Sequence, residues 1–127
     1  MFAVHSDPGR NRLYITLRGH LEGPERQAAL KAILTEASKL APGFGVVTDI
    51  STLHASDQEG FKDFLRAKSG LKMKGVGQVI RVVKIPLSRI QVQRISEAAG
   101  YAAEQVDSIE EADRRLDAAQ NAAKTRS

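Results

Sequence analysis

The sequence predicts an α/β protein with a mixed open β-sheet of four or five strands and four helices, in the order β-β-α-β-α-β-α-(β)-α. Two kinds of pattern support this order. Short β-branched runs alternate with segments of helical apolar spacing, and capping or breaking residues stand between them. A chain of 127 residues with 42% hydrophobic content can bury one core. We therefore expect a single domain over residues 1–127, with a polar, frayed tail from about residue 121.

The first elements are two strands and a helix. Phe2 to His5 predicts a short strand, and turn-forming residues separate it from a second strand, Leu13 to Arg18. Every other residue of the second strand is apolar, which is typical of a strand with one buried face, so we expect a hairpin. Pro24 favours the first turn of a helix, and the apolar spacing of that helix continues to Ala41.

The stretch Phe44 to Gly60 predicts a strand, a polar loop and the start of a second helix. Its first part is a continuous apolar run to Ile50, which favours a central strand. Ser56 and Glu59 have the spacing of a capping box, and the helix is predicted to end around Gly70. Because ligands and partners of open α/β sheets dock at the carboxyl ends of strands, this stretch is the first candidate for a functional site.

The second half of the chain predicts a strand, a helix, a short strand and a last helix. Residues 76–85 form an apolar strand that we expect to be buried on both faces except at Arg81. A helix is expected from Ser88 to Gly100, followed by a short strand over residues 104–107. The residues predicted to cap or bury the last helix are Ser108, Glu111, Ile109, Ala112, Leu116 and Ala119.

Several classes of catalytic and metal site find no support. The chain has no cysteine, which excludes a disulfide scaffold, a thiolate metal site and a cysteine nucleophile. His5, His20 and His54 are far apart and lack zinc-ligand spacing, and neither standard phosphate-binding loop is present. Helix capping explains Ser56, and its closeness to His54 in sequence does not make a catalytic pair. We therefore expect no enzyme activity, no metal and no cofactor.

Charge and hydropathy suggest where the protein acts and what it binds. The sequence shows no export signal and no apolar run near the length of a membrane span, which favours a cytoplasmic protein. Residues 61–94 carry nine basic residues against the single acid Asp63, a net charge of +8. Nucleic-acid binding is disfavoured because Phe61 and Phe64 belong to an apolar helix face rather than a stacking platform. A docking patch for an acidic protein is preferred over a merely solvated surface.

Two local motifs and the element order resemble the STAS domain, the fold of bacterial anti-sigma-factor antagonists and of the cytoplasmic tails of sulfate transporters. Residues 17–21, L-R-G-H-L, are similar to the family's apolar-x-Gly-x-Leu before the first helix. Residues 49–51, D-I-S, followed by residues 57–60, D-Q-E-G, are similar to the family's D-[LI]-S, a short loop, and D-S-[ST]-G. The resemblance covers residues 2–119.

The resemblance implies regulatory protein binding. In antagonists of this family, the first serine of D-S-[ST]-G is phosphorylated by a kinase that is also the anti-sigma factor, and the added charge disrupts their complex. Here Gln58 stands at the phosphoacceptor position and Glu59 at the following hydroxyl position. Switching at the usual site is therefore not expected. Ser56 is a weaker candidate phosphosite, because phosphorylation would remove its capping role.

These observations predict a non-enzymatic, regulatory protein-interaction module whose partner is a signalling protein or an anti-sigma-like kinase. The alternative is a STAS-like carrier of a small apolar molecule or lipid, or a subunit of a membrane-associated complex. Homodimerisation stays open. The predicted partner-binding residues are Asp49, Ser51, His54, Ser56, Asp57, Gln58, Glu59 and Gly60.

Overall fold

The computed structural model describes residues 1–53, 58–82 and 104–126, which form one five-stranded sheet and three helices. The strands are β1 (Phe2–Asp7), β2 (Arg12–Gly19), β3 (Gly45–Leu53), β4 (Val79–Val82) and β5 (Glu104–Val106). The helices are α1 (Gly23–Ala37), α2 (Gln58–Met73) and α3 (Ile109–Arg126). The helix predicted from Ser88 to Gly100 lies outside the described residues.

The sheet is mixed, and its strands are arranged in chain order. β1 and β2 form the predicted antiparallel hairpin, whereas β2, β3, β4 and β5 run parallel to one another. The predicted central position of β3 is confirmed. Parallel neighbours require crossover connections, and α1 and α2 provide these for the β2–β3 and β3–β4 steps. No helix in the described part of the chain is long and apolar enough to cross a membrane.

Helix α1 ends at Ala37, four residues before the predicted end at Ala41. The next amides bond three residues back, from the Lys39 N–H to the Glu36 carbonyl and from the Leu40 N–H to the Ala37 carbonyl, both at 3.1 Å, which tightens the chain into a turn. The end of this turn is held by Asn11, which has a positive φ of 55°. Its side chain accepts the Ala41 N–H at 2.9 Å and donates to the Ala41 carbonyl at 3.2 Å. The Ala41 amide is therefore bonded to the β1–β2 turn instead of to a helical carbonyl, and the chain leaves the helix axis.

Helix α2 continues to Met73, so the predicted end around Gly70 is wrong. The reason is the approach of α1. A Cβ atom at Gly70 would lie 2.6 Å from Cδ2 of Leu34 in α1, closer than two carbon atoms can pack. The glycine serves close helix packing rather than helix termination.

The core lies on both faces of the sheet because successive side chains of β2, β3 and β4 point to opposite faces and apolar residues lie on both. One face is covered by α1 and α2, and the other by α3. The main buried residues of the first face are Leu13, Ile15, Leu17, Val46, Ile50 and Val79 from strands, with Ala29, Ile33, Ala37, Ala67 and Leu71 from helices. Those of the second face are Val47, Ile80, Val82 and Val106, with Ala112 and Leu116 from α3.

Helix α3 meets the sheet along a narrower apolar stripe than predicted. Ala112 and Leu116 are buried, but Ile109 is 39% exposed and Ala119 is also exposed. The predicted N-cap at Ser108 is confirmed by a 3.2 Å hydrogen bond from the Glu111 N–H to the serine hydroxyl. The apolar contact is short because polar side chains occupy the next turns of the helix where they face β2.

A fully buried arginine, Arg12, fastens those polar side chains to the sheet. Its guanidinium donates to Asp113 at 3.0 Å, to Asp117, and to Gln120 at 3.2 Å. Tyr14, two residues along the same strand, donates to Asp113 at 2.8 Å. The three α3 residues are spaced four and three apart and therefore share one side of the helix. We call these five residues the α3 clamp.

The predicted exposure of Arg81 is wrong. All four residues of β4 are buried, and Arg81 is only 1% exposed, although the sequence predicted it as the exposed exception. Its side chain shares the face of Val79, which is the face covered by α1 and α2. Charge alone suggested exposure, but the helices that cover this face decide burial.

Candidate partner-binding site

The candidate site lies where β3 ends, and the strand is irregular there. The pairing with β2 runs from Thr16 opposite Asp49 to Arg18 opposite Thr52, so β3 has one more residue than β2 between these pairs. This is a β-bulge, which bends the strand and redirects the side chains that follow it. The extra residue falls within the D-I-S motif, at Ile50 and Ser51.

Asp49 and Ser51 are joined by two hydrogen bonds across the bulge. The Ser51 N–H donates to Oδ1 of Asp49 at 3.0 Å, and the Ser51 hydroxyl donates to the same oxygen at 2.7 Å. An aspartate that accepts from the backbone two residues later makes a local turn. Ile50, between them, is 3% exposed and anchors the turn in the core. The D-I-S motif thus holds the end of β3 in one shape.

The second half of the predicted site begins α2. Gln58, Glu59 and Gly60 form its first helical residues, where backbone N–H groups lack helical partners and the helix dipole is positive. His54 lies outside the described residues, as do Ser56 and Asp57, so the capping box and the phosphosite at Ser56 stay predictions. Only four residues separate β3 from α2. The two halves therefore lie within about 18 Å of each other, the reach of that connection.

The other sequence motif, L-R-G-H-L, meets the end of β3. Gly19, at the end of β2, pairs with Leu53 and has a φ of +66°, a conformation that favours glycine. The following His20 is exposed, with Nε2 3.4 Å from Oε1 of Glu22, and Leu21 is buried with 5% exposure. The two motifs, separated in sequence, thus lie together at the carboxyl-terminal ends of the parallel strands β2 and β3.

Neither the bulge nor the burial of Arg12 and Arg81 was predicted from the sequence. The bulge follows from the pairing register of two strands, which composition does not reveal. Within residues 1–53, 58–82 and 104–126, no three histidine, aspartate or glutamate side chains cluster in a way that could hold a metal ion.

Solved structures share this arrangement of strands and helices. The anti-sigma factor antagonist SpoIIAA in its unphosphorylated form matches with a TM-score of 0.65 and 18% sequence identity, covering 94% of this chain and 98% of that chain. The chain has the STAS fold. The phosphorylated form of SpoIIAA, a Bacillus cell fate determinant, matches with a TM-score of 0.64 and 18% identity, covering 91% of this chain and 99% of that chain.

The structural similarity confirms the fold that the two motifs predicted. It extends over nearly the full length of both chains. No protein-family model matches the sequence, and no curated protein matches it. The similarity is therefore one of fold, and the function has to be argued from the site.

Proposed function

We propose that this protein is a non-enzymatic regulatory module that binds a signalling protein through the edge formed by the end of β3 and the start of α2. The observation that supports the proposal most is the coincidence of the D-I-S turn with this edge in a STAS fold. SpoIIAA, which has the same fold, is an anti-sigma factor antagonist. An anti-sigma-like kinase is accordingly the partner class that we propose, and the bacterial cytoplasm is its location.

The hydrogen bonding favours a binding surface over a catalytic one. The amide and the hydroxyl of Ser51 both point back to Asp49, so these polar groups shape the backbone. A rigid edge loses little conformational freedom when a partner docks on it, which favours affinity. The adjacent helix start adds backbone donors that a partner's acidic or carbonyl groups can bind.

We also propose that binding is constitutive. SpoIIAA occurs in unphosphorylated and phosphorylated forms, and a phosphate adds a charge of about −1.5 to −2 at neutral pH. Gln58, in the first turn of α2, has no hydroxyl group to accept one. A Gln58→Glu variant, which adds a negative charge there, should bind the partner roughly tenfold more weakly if one like-charge contact costs about 1.4 kcal/mol.

Affinity capture from bacterial cytoplasm tests the interface. The bait proteins are the wild type, the double variant Asp57→Lys with Gln58→Arg, and a control double variant Thr35→Arg with Glu110→Lys. Both double variants change the net charge by +3, and the control positions are exposed on α1 and α3. We expect a partner that the wild type and the control retain and the site variant loses. Identical partner lists from all three baits would rule out this edge as the interface.

A further inference from the structure

The strand β1 lies at one end of the sheet, and no other strand of the described chain pairs with the side of it that faces away from β2. We call this side the β1 edge. Proteins commonly protect such edges with lysine, proline, bulges or short strands. The strand at the other end, β5, has only three residues. In contrast, β1 has six residues, contains neither lysine nor proline, and pairs with β2 without a register shift.

The hydrogen bonds between β1 and β2 show which backbone groups lie on this edge. The Arg18 N–H donates to the Met1 carbonyl at 2.8 Å, and the Met1 nitrogen donates to the Arg18 carbonyl at 3.1 Å. Hydrogen-bonded and non-hydrogen-bonded pairs alternate along an antiparallel ladder. Phe2, Val4 and Ser6 are therefore in non-hydrogen-bonded pairs. Their N–H and C=O groups point away from β2, where a second strand can bind them.

Helix α1 runs alongside β1 in the same direction. The Met1 nitrogen lies 3.4 Å from Oε2 of Glu25, and the Ser6 hydroxyl donates to Oε1 of Glu36 at 3.3 Å. Between these two contacts, the segment of the helix and the segment of the strand are both about 16 Å long. The two elements therefore advance in step.

The side of α1 next to the β1 edge has small residues at its middle. Ala32 follows Glu25 by seven residues and precedes Glu36 by four, so all three lie on the same side of the helix. The exposed Ala28 lies one turn before Ala32. Because α1 and β1 advance in step, Ala32 lies beside Val4, near the middle of the strand. Small side chains at this position leave room for a second helix.

We propose that two copies of this chain pair through their β1 edges, in antiparallel register about a two-fold axis at Val4. In this register Phe2 of one copy lies opposite Ser6 of the other, and Val4 lies opposite Val4. Each of these pairs can exchange two backbone hydrogen bonds, so all the outward-pointing groups are used. On the other face of the strand, the exposed Ala3 lies opposite the larger, exposed His5. The two sheets then become one continuous sheet.

The same axis brings opposite charges together at the ends of α1. It passes beside Ala32, so the two α1 helices run antiparallel and residues equally far before and after Ala32 face each other. This pairs Glu25 of one copy with Lys39 of the other, whose side chains are 37% and 57% exposed. Lys39 also pairs with Glu36 of its own copy, and its three N–H donors can bind both carboxylates. This charge complementarity favours a second copy as the occupant of the edge.

Sedimentation velocity of the full chain from about 1 µM to about 1 mM tests the pairing. We expect a monomer–dimer equilibrium in the wild type. Val4→Pro removes an N–H on the axis that is not bonded to β2, so β1 should stay in the sheet while the dimer Kd rises about tenfold or more. Val4→Thr keeps this N–H and the β-branched shape, and its Kd should stay within about threefold of the wild type. A wild type that is monomeric at every concentration would overturn the proposal.

Cysteine cross-linking tests the register and does not require the proline variant to fold. The chain has no cysteine of its own. Val4→Cys places two thiols on the axis with Cα atoms about 5.5 Å apart, a distance that a disulfide spans. Ser6→Cys is the matched control on the same face of β1, because its two copies lie about 13 Å apart along the strands.

With oxidised glutathione, we expect the disulfide-linked dimer to form about tenfold faster in Val4→Cys than in Ser6→Cys. Equal rates in the two variants would rule out pairing about Val4. The pairing does not depend on the function proposed above, because β1 is separated from β3 by β2 and both experiments use only this protein.

Discussion

Replacing Arg12 with methionine should loosen α3 from the sheet. Methionine keeps the apolar part of the side chain but removes the donors to Asp113, Asp117 and Gln120. The two carboxylates would then rely on water.

The magnitude follows from the exposure of each partner. A hydrogen bond to a charged group contributes about 1.5–3 kcal/mol when it is shielded from water. The side chains of Asp113 and Asp117 are 27% and 60% exposed, so their bonds belong at or below the low end of that range. The variant also avoids the cost of burying a guanidinium whose Nε makes no hydrogen bond to the described part of the chain. We therefore expect Arg12→Met to lower the free energy of unfolding by about 2 kcal/mol.

Urea unfolding followed by circular dichroism measures this change. With an m-value of about 1.5 kcal/mol/M, the midpoint should fall by roughly 1.3 M. Arg114→Met is the matched control, since Arg114 lies on the same helix, is 73% exposed and pairs only on the surface with Glu111 in the described contacts. Its midpoint should stay within about 0.3 M of the wild type. An Arg12→Met midpoint equal to that of the control would refute the α3 clamp as a source of stability.

Three further predictions concern pH and backbone geometry. The hydrogen bond from Arg12 lowers the pKa of Asp117, so its stabilisation is complete above the ordinary carboxyl range and is lost as pH falls through the folded-state pKa. The melting temperature should therefore drop more steeply between about pH 5 and pH 2 in the wild type than in Asp117→Asn. Gly77→Ala would place Cβ 2.6 Å from the Gly43 carbonyl oxygen, and the backbone strain should cost about 1–3 kcal/mol in urea unfolding. Gly9→Ala, whose nearest contact is an ordinary 3.4 Å, should change stability by less than about 1 kcal/mol in the same assay. Asn11→Ala should lose about 2 kcal/mol by thermal unfolding, because it loses both bonds to Ala41 and disfavours the positive φ; Asn11→Gly should lose less.

The candidate site could be predicted in part. The D-I-S and D-Q-E-G residues followed from a resemblance in sequence, and the structure places D-I-S at the end of β3 and Gln58 in the first turn of α2. The bulge at Ile50 could not be predicted, because it depends on how β3 pairs with β2, more than thirty residues earlier in the chain. The predicted end of α2 at Gly70 was wrong for a similar reason. Glycine commonly ends helices, but here its missing side chain admits Leu34.

The sequence by itself determined the order of the elements, the hairpin, the central strand and the position of Gln58 at the start of a helix. These features depend on short-range patterns: alternation, helical spacing and capping. Only the tertiary structure decided which charges are buried. Arg12 and Arg81 both lie in strands of the sheet, and their burial comes from the helices packed across its two faces. Burial is a property of what covers a residue, and that covering is assembled from segments far apart in the chain.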